Sequence, residues 1–226
     1  MNRIPNASLA PLFLLISLMA IVAAPFVGAV AFAASVPEPV SRDEGKASDS
    51  GSLSSSHTCT LSPLAEPPTP SKVPGYAELD PSTGLHVTGT AQPIDRETYR
   101  LEVTGKVDHP LALGYDELRC MPRTSGRPVL ICPGFFSDTA SWTGVPLKYV
   151  IDLAGAKPDA KEVSLTGADN YTATLSMDVA TASGNFLAYE WEGKALPKLH
   201  GFPLRAVLPG LEGNRWVKWL LKIEIR

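Results

Sequence analysis

Residues 9–34 (LAPLFLLISLMAIVAAPFVGAVAFAA) contain no charged side chain, and this run has to be set apart from any folded core. It is long enough to cross a hydrocarbon layer about 30 Å thick as a helix of roughly 20 residues. Pro11 and Pro25 interrupt it, and it has no polar face with which a soluble helix could meet water. We therefore read 1–34 as a signal peptide or membrane anchor. Arg3 and the free amino terminus precede the run, while Glu38, Asp43 and Glu44 follow it. The positive-inside tendency then leaves the N-terminus in the cytoplasm and carries the rest out, to a periplasmic or cell-surface location. Ala31-Phe32-Ala33 offers a small-residue cleavage site, so a secreted and an anchored product both fit.

From 35 to 84 the chain is rich in Pro, Ser, Gly and Asp, as in SRDEGKASDSGSLSSS and AEPPTPSKVPG. Such a stretch buries too little apolar surface to offset its ordering entropy, and we read it as a disordered linker. The folded part is expected over 85–226. With 44% hydrophobic residues in the whole chain, that length suffices for one core. The formal net charge is -3, with Lys and Arg scattered among Asp and Glu, so no basic face is available for nucleic acid.

Within 85–226, Tyr99, Leu101 and Val103 alternate with polar residues as in a half-buried strand, and Val129, Leu130 and Ile131 read as an interior strand. Residues 146–156 (PLKYVIDLAGA) read as a short helix, with Pro at its start and Gly155 near its end. Further strands are expected at 162–165, 171–177, 186–191 and 204–208, between Gly, Asp and Pro turns. In 216–226, Val217, Trp219, Leu221, Ile223 and Ile225 fall on one face, and Lys218, Lys222, Glu224 and Arg226 on the other. Strands with few short helices make an α+β domain of mixed β-sheets.

Three cysteines in an exported chain leave one over after any pairing, and a leftover thiol outside the cell is either reactive or held by a ligand. Cys132 is the candidate, because it ends an apolar strand and meets the Pro133-Gly134 turn, which presents a thiol at a sheet edge. Position supports a Cys59–Cys120 disulfide that spares Cys132, and a Cys120–Cys132 pair across a short loop is the competing arrangement.

Four blocks in order carry a family resemblance: TGTAQPIDRETYRLEVTGKVDHPLALGYDEL, VLICPGFFSDTASWTGVPLKYVIDLAG, VSLTGADNYTATLSM and FLAYEWEGKALPKLHGFPLRAVLPGLEGNRWVKWLLKIEI. Together they resemble the molybdopterin-binding domain shared by sulfite oxidase and the catalytic subunit of periplasmic methionine sulfoxide reductase. The resemblance implies the sulfite-oxidase-type fold and a molybdenum-molybdopterin cofactor. It places Cys132 where the family's protein ligand to molybdenum sits, and a soft anionic thiolate suits a sulfur-rich metal centre. His200 and Arg205 match the HGxPxR block whose His and Arg contact the pterin and its phosphate, a task for which a planar guanidinium is suited. Arg215, Trp216, Val217 and Lys218 match the next cofactor-contacting stretch. Thr166 and Gly167 open the turn that lies against the pterin, and Asn170, where many relatives carry Gly, tolerates the positive φ of that turn. Residues 86–92 resemble a leading segment that also touches the cofactor.

The chain departs from the sulfite oxidase pattern after the cysteine, where Pro133, Gly134, Phe135 and Phe136 stand in place of an early Arg. Phe135, Phe136 and Trp142 would give an apolar approach to the metal in place of an anion pocket. The resemblance implies an exported oxidoreductase performing oxygen-atom transfer on a small substrate. No CxxCH haem site or cluster-forming cysteine run occurs, so a separate haem or quinone-linked electron-transfer protein is the expected partner, with the membrane reached through an uncleaved N-terminal segment. The competing reading is a cofactor-free exported binding or structural module that keeps the fold.

Overall fold

The computed structural model describes residues 59–226. The expected signal or anchor segment, 1–34, and the first part of the expected linker, 35–58, lie outside the described residues. In chain order the elements are β1 (Leu79–Asp80), β2 (Leu85–His86), β3 (Arg100–Gly105), β4 (Leu111–Gly114), α1 (Tyr115–Arg119), β5 (Thr124–Gly126), β6 (Val129–Cys132), β7 (Phe136–Thr139) and β8 (Trp142–Pro146). They continue with α2 (Leu147–Leu153), β9 (Glu162–Gly167), β10 (Thr172–Ser176), α3 (Met177–Ala180), β11 (Phe186–Trp191), β12 (Lys194–Ala195), β13 (Arg205–Val207) and β14 (Leu220–Ile225). Among these, no helix is long and apolar enough to cross a membrane.

One sheet has the order β10-β9-β14-β3-β4, with β14 parallel to β3 and antiparallel to β9. The other runs β12-β11-β8-β5, with β13 also paired to β11. Leu101, Val103 and Ile223 from the first and Val145, Leu187 and Ala206 from the second are all fully buried in one continuous core. Each large side chain so buried contributes about 1.5–3 kcal/mol. Helices α1 and α2 are too short to persist alone, and they hold because Leu118, Leu147, Val150 and Ile151 are sealed in the same core.

The expected strand alternation in β3 is observed, with Leu101 and Val103 buried between exposed neighbours. The helix expected at 146–156 occurs as Leu147–Leu153, and the strands at 162–165, 171–177, 186–191 and 204–208 appear as β9, β10, β11 and β13. The expectation of an interior strand at 129–131 is corrected. Strand β6 pairs only with β7 in a two-stranded ribbon, leaving Val129 50% and Ile131 52% exposed. With period-two alternation only Leu130 turns inward, to pack on the core.

The linker reading of 35–84 is also corrected over its described part, 59–84. Cys59 is bonded to Cys120, which leaves Cys132 as the free thiol and removes the competing Cys120–Cys132 arrangement. The sequence separation of 61 makes this cross-link worth about 4 kcal/mol in lost unfolded-chain entropy. The same stretch bonds to the domain at Arg119 Nη2 to the Ser62 carbonyl, 2.6 Å, and Ala195 N to the Ala65 carbonyl, 3.1 Å. Its own apolar content is low, and covalent and backbone bonds to the domain order it instead.

Gly144 pairs with Ala188 where β8 crosses β11, and a Cβ there would lie 1.9 Å from the Leu187 carbonyl oxygen. Gly144→Ala is therefore expected to lower stability by about 3 kcal/mol or more, read from the urea midpoint. An unchanged midpoint would show that the two strands can separate at no cost.

Candidate functional site

A cavity of about 330 Å³ opens between the β6–β7 ribbon, the β1–β2 hairpin and the turns that precede β13 and β14. The ribbon brings Cys132 to it. Cys132 stands opposite Phe136 in the ribbon ladder, and the ribbon is docked through an Ile131–Glu212 bridge and through Leu130, which packs against Gly213. The thiol is free and its residue half-buried, so it is reachable from the cavity that it lines.

The HGFPLR turn supplies the opposite wall. A 3-10 turn at Lys198–His200 ends in Gly201 at φ 115°, where a Cβ would come within 2.9 Å of Arg205 Cβ and 3.3 Å of Lys218 Cβ. Glycine there lets the turn nest against both cationic side chains. Arg205 begins β13 and is buried, 4% exposed. It donates from Nη1 to the His200 carbonyl at 3.0 Å and lies 4.7 Å from the Trp142 ring centre. Its Nε is buried without a hydrogen-bond partner among the described residues. Burial pulls the Arg205 pKa down to about 10, against the pull of Asp138.

The unbroken alternation expected over 216–226 is corrected around Lys218. Trp219 takes a left-handed φ of 51°, and the β14–β9 ladder shifts register between Leu220 and Lys222, so the pleat changes phase there. Leu220, not Leu221, is the fully buried residue, and Lys218 turns to the cavity. Its ammonium donates to the carbonyls of Thr88 and Leu199 and sits 4.6 Å from the Trp219 ring centre. Burial, and then Arg205, depress the Lys218 pKa to about 7, with Asp169 opposing. Burial likewise lowers His200 to about 4, with its hydrogen bond to the Asp80 carboxylate opposing.

Of the residues that the sequence singled out, Cys132, His200, Arg205, Trp216, Val217 and Lys218 line this cavity together. Thr166, Gly167 and Arg215 do not. Thr166 hydrogen-bonds across the ladder to Thr172 at 2.9 Å, Gly167 pairs with Leu220, and Arg215 donates to the Thr174 carbonyl at 3.0 Å. Asn170 does adopt the expected positive φ, at 65°. Trp142 is buried beneath Arg205, while Phe136 stacks on His86 with centroids 4.4 Å apart. Phe135 is 67% exposed and meets Tyr76 edge-on.

Sequence reasoning missed Asp80, Asp138 and Asp169. Asp138 accepts from His86 N at 2.9 Å and from His86 Nδ1 at 2.7 Å, so both its oxygens are engaged by one residue. Asp80 carried one readable signal, the Asp-Pro-Ser-Thr run of an Asx turn, inside a stretch read as linker. With the cavity carboxylates Asp138 and Asp169 tied to nearby groups, Arg205 and Lys218 form a buried basic pair suited to an anion, with neutral His200 beside them. The thiol across the cavity suits a soft metal. The residues present therefore fit a phosphate-bearing, sulfur-rich metal cofactor.

Comparison with known proteins agrees. Residues 88–226 match the family model described as the oxidoreductase molybdopterin binding domain. The oxidoreductase YuiH of Bacillus subtilis is 33% identical over 62% of this chain and 71% of its own. The putative protein-methionine-sulfoxide reductase subunit YedZ1 of Azospira oryzae is 32% identical over 56% of this chain and 48% of its own. The crystal structure of the sulfane dehydrogenase SoxCD from Paracoccus pantotrophus superposes with a TM-score of 0.57 at 30% identity, over 60% of this chain and 40% of that one. The chain thus spans less than half of the last two. The sulfite-oxidase-type fold, the cationic cavity and the match over 88–226 agree, and the chain belongs to the oxidoreductase molybdopterin-binding domain family, an oxidoreductase whose cofactor is the molybdenum cofactor.

Proposed function

We propose that this is an exported oxidoreductase that moves an oxygen atom to or from a small substrate, with Cys132 as the protein ligand to molybdenum. The observation that carries the reading is one cavity holding a free thiol on one wall and three basic groups on the other. The bound cofactor supplies the two-electron oxygen-transfer chemistry. Arg205 and Lys218 would hold its anionic end by charge-assisted hydrogen bonds in a buried site, and His200 would line the same pocket. Trp142 and Trp216 flank the Arg205 guanidinium and keep water from it. On the thiol side of the cavity Tyr76, met edge-on by the exposed Phe135, offers an aromatic approach, which favours a neutral substrate over sulfite. The alternative is a cofactor-free module that keeps the fold, and the form of it in which Cys132 is tied to Cys120 is removed because Cys120 is taken by Cys59.

Export is supported by that disulfide, which requires an oxidising compartment, and by the charge-free run at 9–34. Electrons are expected to pass through a separate haem or quinone-linked protein, since the sequence has no haem-attachment motif. The membrane is reached through the N-terminal segment where this is retained.

Purified protein from cells supplied with molybdate should carry stoichiometric molybdenum and yield a fluorescent pterin on oxidation. Folded protein without either would end the proposal. A second expectation concerns pH. In the cofactor-free protein the Lys218 pKa falls from its ordinary 10.5 to about 7. Between these values the unfolded chain binds the extra proton, so stability should rise with pH from about 7 to about 10.5. Lys218→Met should remove that rise, and inorganic pyrophosphate should flatten it by holding the charged lysine. A slope shared by wild type and variant would contradict the burial of this charge.

A further inference from the structure

Asp80 lies on β1, ahead of the family-matched residues 88–226, and is completely buried. Its Oδ1 accepts from Ser82 N at 2.9 Å and from Ser82 Oγ at 2.6 Å. Its Oδ2 accepts from Thr83 Oγ1 at 2.8 Å and lies 3.1 Å from His200 Nε2. Burial works against ionisation, but these bonds outweigh it and hold the Asp80 carboxyl below its ordinary pKa. An ionised carboxylate has no hydrogen to give, so the hydrogen in the contact with His200 belongs to Nε2. Thr83 Oγ1, also 3.1 Å from Nε2, has already given its hydrogen to Asp80 and can only accept.

His200 is 2% exposed and is neutral at ordinary pH, so a hydrogen on Nε2 leaves a lone pair on Nδ1. No hydrogen bond to Nδ1 occurs among the described residues, and His200 lines the cavity that also holds Cys132, Arg205 and Lys218. We propose that Asp80 is a positioning residue which, with Thr83, locks His200 in its Nε2–H tautomer, so that Nδ1 presents an acceptor to an N–H of the pterin. This rests on the reading that the cavity holds the cofactor. The clamp is supplied by the β1–β2 hairpin, so residues 79–86 are part of the site and not a tether.

The competing role for Asp80 is local, as the cap of the turn formed by Ser82 and Thr83. The two roles separate at Asp80→Asn. Ser82 N and Ser82 Oγ both donate to Oδ1, so the amide oxygen stays there and the NH₂ takes the place of Oδ2. That NH₂ donates to Nε2, which drives the hydrogen of His200 to Nδ1 and removes the acceptor.

The test uses the full-length, cofactor-loaded protein labelled with ¹⁵N in histidine. Wild type should show the Nε2–H pattern for His200, and Asp80→Asn the Nδ1–H pattern, with pterin lost on dialysis about tenfold faster. In a His200→Ala background, Asp80→Asn should change pterin loss by less than about twofold, because the coupling runs through the ring. An Nδ1–H pattern in wild type overturns the proposal without any variant. So does an Asp80→Asn protein that keeps the wild-type tautomer or pterin retention, or one whose effect persists without His200. Wild type that carries no pterin overturns the reading of the cavity itself, a result told apart from these by the tautomer pattern.

Discussion

Burying positive charge is the constraint around which this domain is arranged. Arg205 and Lys218 are drawn out of water within the same cavity, Arg205 further lowers the affinity of Lys218 for its proton, and burial keeps His200 beside them neutral. Two carboxylates line that cavity, but Asp138 is engaged by His86, and Asp169 accepts from Tyr171 N at 3.1 Å. A cluster of this kind carries a standing desolvation cost, and an anion that binds by paired hydrogen bonds offsets it. The cofactor's phosphate has that chemistry. The stability of the domain is thus tied to one electrostatic imbalance, which a bound anion would relieve.

The imbalance is built from segments far apart in the chain. The left-handed Trp219 and the register shift that follows it turn Lys218 out of the regular pleat, and Trp219 is held there by its Nε1 bond to the Lys198 carbonyl at 2.8 Å. Gly201 lets the turn before β13 close on Arg205 and Lys218. The β6–β7 ribbon, outside both large sheets, carries the thiol to the far wall. The two-sheet body therefore holds the cationic side, and an exposed ribbon bears the free thiol of Cys132.

Much of the domain was legible because its signals were local. The alternation at Leu101 and Val103, the Pro-led helix at 147–153 and the ordered motif blocks each point to one structure. His200, Arg205 and Lys218 were legible as a group only through the resemblance, since none has a distinctive neighbour pattern. What failed was non-local. Val129 and Ile131 read as interior because apolar runs usually are, yet a ribbon with one partner strand leaves alternate residues exposed. The pattern alone put Lys218 on the polar face with Lys222 and Glu224, because a bulge cannot be seen in an alternating string. Asp80 read as linker because composition records how much a segment can bury by itself, and this one is held by a disulfide and by bonds to another part of the chain.

The central claim is that the Cys132 sulfur is bonded to molybdenum, and X-ray absorption at the molybdenum K edge tests it most directly. The account predicts that the wild-type metal has one more sulfur neighbour than the metal remaining in Cys132→Ser, at unchanged fold by circular dichroism. An identical sulfur shell in wild type and variant, both with molybdenum bound, would contradict it.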